Sequence, residues 1–181
     1  EAAVMLYQKI KRFWINIFPN KRKSIALLVL AMLVLCTGCK QNTDEETEED
    51  KTEQQIYEDS QKLAEGYRKI YETAVSQGNL NTLEVQQKII ASISGSGYAA
   101  VDRDDQINMV NYEQVEEFCK SADEGSENHV TIISLLEEGD FVRYDMETKN
   151  GEIDVIVSTL RWEESKRQVC YYHEFTAYSW K

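Results

Sequence analysis

Apolar positions fall into three regimes along the chain. From Ile25 to Leu35 the sequence IALLVLAMLVL is apolar without a break. From Thr52 the spacing becomes helical: Ile56, Leu63, Tyr67, Ile70 and Ala74 recur at steps of seven, four, three and four, with Tyr57, Ala64, Tyr71 and Val75 widening the stripe. Gly78-Asn79 predicts the stop, because a glycine accepts the left-handed backbone that ends a helix. Asn81, with Glu84 three residues on, has the form of an N-cap and its capping-box partner. It predicts a second helix over residues 82–93 that buries Leu83, Ile89, Ile90 and Ile93 and closes at Ser94-Gly95-Ser96-Gly97. So short a turn makes the two helices antiparallel neighbours, a helical hairpin. The alternative for the stripe is an exposed helix that docks a partner.

Beyond Gly97 the period changes to two. GYAAVD reads as a short strand, and NYEQVEEFCKSAD as a helix capped by Asn111 with Val115, Phe118, Cys119 and Ala122 on one face. HVTIISLLE, FVRYDME, EIDVIVSTLRW and QVCYYHEFTAYSW read as strands. Asn150-Gly151 between two of them is a hairpin signal, since both residues tolerate the positive φ of a tight turn. The predicted fold class is α+β: an N-terminal helical hairpin, then a mostly antiparallel sheet of about four or five strands with one helix packed on it.

Charge alters the reading of the first third. Lys9, Lys11, Arg12, Lys21, Arg22 and Lys23 precede the apolar run. A basic region, an apolar core and small residues after it have the order of a secretory signal. Eleven helical residues cover roughly 16 Å, about half of what a membrane crossing needs. The run ends in Cys36-Thr37-Gly38-Cys39, which resembles the lipobox of bacterial lipoproteins. Thr37 and Gly38 are its small residues, and Cys36 departs from the Leu, Val or Ile preferred there. The resemblance implies cleavage between Gly38 and Cys39, with diacylglycerol on the Cys39 thiol and residues 1–38 removed as a signal peptide. Acyl chains of that kind contribute on the order of 20 kcal/mol of membrane affinity. The alternatives are an uncleaved signal anchor and a plain secreted protein. Glu1 is not a methionine, and Met5 is the expected start.

Residues 1–38 hold six basic side chains and one acid, so their removal takes the formal net charge from −12 to −17. So anionic a domain repels nucleic acid and the anionic leaflet. Asp44, Glu45, Glu46, Glu48, Glu49 and Asp50 concentrate acid in residues 39–52, which are expected to form a disordered, extended tether. Residues 53–181 are expected to form a single domain.

Candidate chemistry is sparse. Asp102, Asp104, Gln106, Asn108 and Glu113 have EF-hand spacing, but Ile107 occupies the position that requires glycine, and no helix enters the loop. No metal site and no cofactor is expected. His129 and His173 are the only histidines, without a nucleophile elbow or a zinc motif, and no catalytic residue is assigned. Outside the cytoplasm Cys119 and Cys170 are free to form a disulfide, which requires Cα atoms within about 7 Å; as an unpaired thiol, Cys119 is a small hydrophobe. Trp162, Tyr172, Tyr178 and Trp180 form a candidate ligand surface for sugar or protein, against the alternative of cross-strand aromatic pairing. The strand pattern runs almost to Lys181, and the expectation is that the protein continues.

SGYAAVDRDDQINMVNYEQVEEFC together with VTIISLLEEGDFVRYDMETKNGEIDV resembles small uncharacterised lipoproteins of Gram-positive bacteria. That resemblance implies no activity and no site residue beyond Cys39. The expectation is a lipoprotein on the outer face of the cell membrane, held by lipid on Cys39, that binds an envelope protein or glycan and not nucleic acid. The alternatives are an envelope hydrolase with a buried carboxylate pair and a structural subunit of an envelope assembly.

Overall fold

The computed structural model describes residues 48–104, 106–163 and 166–177. The signal region, Gly38, Cys39, Tyr178 and Trp180 lie outside the described residues. Among the described residues three helices and five strands follow in the order α1 (Glu48–Gln77), α2 (Leu83–Gly95), β1 (Ala99–Asp102), α3 (Tyr112–Glu124), β2 (Asn128–Leu135), β3 (Phe141–Lys149), β4 (Glu152–Glu163) and β5 (Lys166–Ala177). The architecture is α+β, as the periodicities predict.

Helix α1 starts at Glu48, inside the stretch expected to be tether. Acidic residues suit a helix start because they face the positive end of the helix dipole. At the other end Gly78, with φ +66, terminates α1: its amide donates to Val75 O and that of Asn79 to Ala74 O. This is the double closure of a Schellman turn. The cap of α2 differs from the expectation. Thr82, not Asn81, holds the N-cap position without a side-chain cap bond, and its hydroxyl donates to Asn79 O. Leu83 is consequently 45% exposed, while Ile89, Ile90 and Ile93 are buried as predicted. Helices α1 and α2 touch, and they come close at Gly66, whose carbonyl accepts the Ser92 hydroxyl at 3.1 Å.

The five strands form one sheet in sequence order. β2 through β5 pair antiparallel, but β1 joins β2 in parallel, Ala99 opposite Ile132 and Asp102 opposite Leu135. The sheet is therefore mixed. The reason is α3: a helix between two strands provides the long crossover that lets them run the same way. Asn150 and Gly151 take φ 54 and φ 81 between β3 and β4, the positive pair expected of the tight turn.

One sheet face packs on α1 and α2 through Leu63, Ala64, Tyr67, Ile89, Ile90 and Ile93 against Ala100, Ile133, Leu135, Phe141 and Leu160. Full burial of a side chain of this size contributes roughly 1.5–3 kcal/mol. Helix α3 lies across β1, β2 and β3, with Val115, Phe118 and Ala122 buried. Asn111 precedes α3 as predicted, but in left-handed conformation and without capping it. Its amide donates instead to Ser94 O and Tyr98 O, tying the start of α3 to the end of α2.

Candidate functional site

Three groups of polar or aromatic residues stand out, each built where elements meet at the sheet. The first is an aromatic knot. Tyr67 and Tyr71 come from α1 one helical turn apart, Trp162 from the end of β4, and Gly139-Asp140 from the β2–β3 loop. The Tyr67 hydroxyl donates to Gly139 O at 2.9 Å, and the Trp162 indole N–H donates to the same carbonyl at 3.1 Å. Tyr71 stacks on Trp162 with ring centroids 4.3 Å apart, and Tyr67 meets the indole edge-on at 5.8 Å. Gly139 permits this approach: its φ is +78, and a Cβ there would lie 2.8 Å from Tyr71 Cδ2. Burial pushes the Tyr67 hydroxyl well above its ordinary pKa, which keeps it protonated as a donor. Trp162, a candidate for the ligand surface, is thus half-buried, packed against the core by Tyr67 and Tyr71. Alternation alone could not reveal this, because its partners come from a helix and a loop distant in sequence.

The second group is ionic and went unrecognised in the sequence. Arg143 on β3 is 5% exposed. Its Nε donates to Asp145 Oδ2 at 2.7 Å and its Nη2 to Asp145 Oδ1 at 2.8 Å, a two-pronged clamp between residues two apart on one strand face. The Thr131 hydroxyl donates to the same carboxylate at 2.7 Å. Asp59 of α1 stands 4.0 Å from Arg143 Nη2, and the guanidinium carbon lies 5.7 Å from the centre of the Tyr98 ring. Burial would lower the Arg143 pKa, but the hydrogen bonds and charge of Asp145, with Tyr98 and Asp59, outweigh it and raise it. Arg143 Nη1 is buried with no hydrogen-bond partner. The sequence signal was the alternation in FVRYDME, which puts residues 141, 143 and 145 on one face.

The third group is the loop after β1. Asp102 accepts backbone N–H groups from Asp104 at 3.1 Å, Gln106 at 3.0 Å and Ile107 at 2.7 Å. The residue that would open a calcium loop instead folds the loop around its own carboxylate. Among the described residues no cluster of His, Cys, Asp and Glu is placed to hold a metal ion. Beside this loop lies a hollow of about 50 Å³ lined by Asn81, Leu83, Gln86, Asp102, Gln106 and Glu137. Small-molecule sites run to several hundred Å³, so this hollow suits a water or the tip of one side chain.

The remaining predicted residues are not brought together. Cys119 is a free thiol in the structure, so the expected alternative of a Cys119–Cys170 bridge is not made. The reason is placement: α3 packs over β1, β2 and β3, whereas Cys170 belongs to β5 at the far edge. Burial and then the charges of Asp123 and Glu116 push the Cys119 thiol up to about 11. Tyr172 pairs with Ser158 in the β4–β5 register. Among the described residues no helix is long and apolar enough to cross a membrane.

Residues 53–181 match the model of a family of unknown function (DUF6070). No curated protein matches, and no solved structure matches.

Proposed function

We propose that the chain, which belongs to that family of unknown function (DUF6070), is a lipid-anchored extracytoplasmic lipoprotein whose domain acts as an interaction module at the cell surface. The observation that carries the reading is the order of three sequence features: the six basic residues from Lys9 to Lys23, the apolar run Ile25–Leu35, and Thr37-Gly38-Cys39. The position of the folded domain supports it. Helix α1 starts nine residues after Cys39, so a short acidic spacer separates the lipidated residue from the first turn. In this reading α1 and α2 form an antiparallel hairpin that braces one face of a largely antiparallel sheet. The outer helix faces are left to meet an envelope protein or glycan. The buried polar groups fit such a scaffold: Asp102 is committed to three backbone amides and Asp145 to Arg143 and Thr131.

The test is intact mass and cell fractionation of the expressed full chain. The expected product starts at Cys39, carries a diacylglycerol adduct and sediments with membranes. Cys39→Ala loses the lipid mass and is released from the membrane fraction. A product that retains its apolar leader, or that carries no glyceride and fractionates with the cytosol, overturns the reading.

A further inference from the structure

The hollow beside the β1–α3 loop is built where three elements meet. Gln86 comes from α2, Asp102 from the end of β1 and Glu137 from the β2–β3 turn. Arg103 and Asp104 of the loop and Leu83 at the start of α2 complete its lining. Three carboxylates thus stand against one guanidinium, and the balance is negative.

Gln86 shows what the hollow lacks. It is 7% exposed, and a polar side chain buried that deeply needs partners at both ends of its amide. Its Nε2 donates to Leu80 O at 3.0 Å and to Glu137 O at 3.4 Å, which uses both hydrogens. Among the described residues no group donates to its Oε1, and that oxygen opens to the hollow that Gln86 lines. Asp102 adds a second acceptor. Its Oδ2 takes two backbone amides and its Oδ1 only that of Ile107, so with about four acceptor sites on a carboxylate Oδ1 keeps one.

The hollow is therefore complementary to a group that donates, accepts nothing and is positive. Its volume of about 50 Å³ admits one group the size of a water molecule. A lysine ammonium is that compact and carries three donors, whereas a guanidinium is a wider planar fork. Leu83, 45% exposed on the rim, offers apolar surface to the methylene stem behind such an ammonium.

We propose that this hollow seats a lysine side chain of a partner protein, with the ammonium held by Gln86 Oε1 and the carboxylates of Asp102, Asp104 and Glu137 and the stem along Leu83. The identity of the occupant as a partner protein rests on the reading of the domain as an interaction module. The preference for an alkylammonium is independent of the lipid anchor, so a failed anchor leaves it standing and its own failure leaves the anchor standing.

The test is heteronuclear NMR of the isotopically labelled full chain in detergent, titrated at constant ionic strength with Nα-acetyl-lysine methylamide. The expected result is a saturable movement of the Gln86 side-chain amide signal, with a dissociation constant on the order of 1–10 mM. The Nε-acetylated compound, which has lost the charge, leaves that signal in place, and the arginine analogue binds several-fold more weakly. Asp104→Asn combined with Glu137→Gln removes two charges at exposed positions and raises the dissociation constant roughly tenfold. Circular dichroism of the double variant keeps a folding defect from counting as lost binding. No movement up to ~0.1 M lysine compound overturns the proposal. So does an equal response to the neutral compound, or a folded double variant that binds as wild type does. Tighter binding of n-butylamine or of calcium chloride than of the lysine compound also overturns it, by assigning the hollow to a free amine or to a metal ion.

Discussion

Thr148 is wholly buried on β3, and its hydroxyl has no hydrogen-bond partner. A buried hydroxyl without a partner loses its water and gains nothing in return, at a cost of about 1–3 kcal/mol. Thr148→Val keeps the shape and removes the deficit, so the variant is expected to be more stable by about 1 kcal/mol. A shift of the urea midpoint to higher concentration at unchanged slope is the measurement; a lower midpoint would refute the account. Strand propensity favours threonine as much as valine at this position, so only the packed environment distinguishes them. Residue identity was legible in the same limited way elsewhere. Ile89, Ile90 and Ile93 went inward as their spacing required, but Leu83 stayed out because the cap sits at Thr82 and the helix begins one residue later than expected.

At the scale of elements, the contacts that join α1 to the sheet are polar as well as apolar. The Tyr67 hydroxyl reaches the β2–β3 loop, and Asp59 approaches Arg143 on β3. Arg143→Ala leaves the Asp145 carboxylate half-buried with only the Thr131 hydroxyl for company. Breaking a buried pair from one side costs about 3–5 kcal/mol, because the surviving charge is uncompensated. The expected outcome is a loss of that order in denaturant unfolding. The double variant Arg143→Met with Asp145→Leu is expected to recover much of it, since two apolar side chains leave no unpaired charge. A double variant that loses as much stability as Arg143→Ala, or more, would refute the account of an uncompensated charge. The elements of the described residues were largely visible in the sequence, three helices and five strands at about the expected positions. Their polar connections were not, because a clamp such as Arg143–Asp145 becomes recognisable only when a helix closes over that face.

For the whole molecule, charge dominates. The chain carries a formal net charge of −12. Self-repulsion of like charges opposes the compact state, and added salt screens it. The expected outcome is a thermal midpoint that rises by a few degrees between ~0.01 and ~0.3 M sodium chloride, as the screening length falls from roughly 30 Å to below 10 Å. Differential scanning fluorimetry over a salt series measures it. A midpoint that falls over this range would mean that favourable ion pairs such as Arg68–Glu72 and Lys88–Glu84 outweigh the repulsion. Exposed pairs of that kind contribute little individually, and the direction follows from the net charge.

The sequence by itself determined the α+β class, the succession of elements and the hairpin turn at Asn150-Gly151. All of these follow from local periodicity and from residues that accept special backbone angles. It also placed the apolar run and Cys39 in the order that motivates the anchor proposal. Only the tertiary structure decided that β1 runs parallel to β2, that Trp162 packs half-buried between Tyr71 and the core, that Cys119 keeps a free thiol and that Arg143 is buried in a clamp. Each of those outcomes depends on which distant segment arrives beside a residue. Spacing along a chain fixes which way a side chain faces, and the fold alone fixes what it meets there.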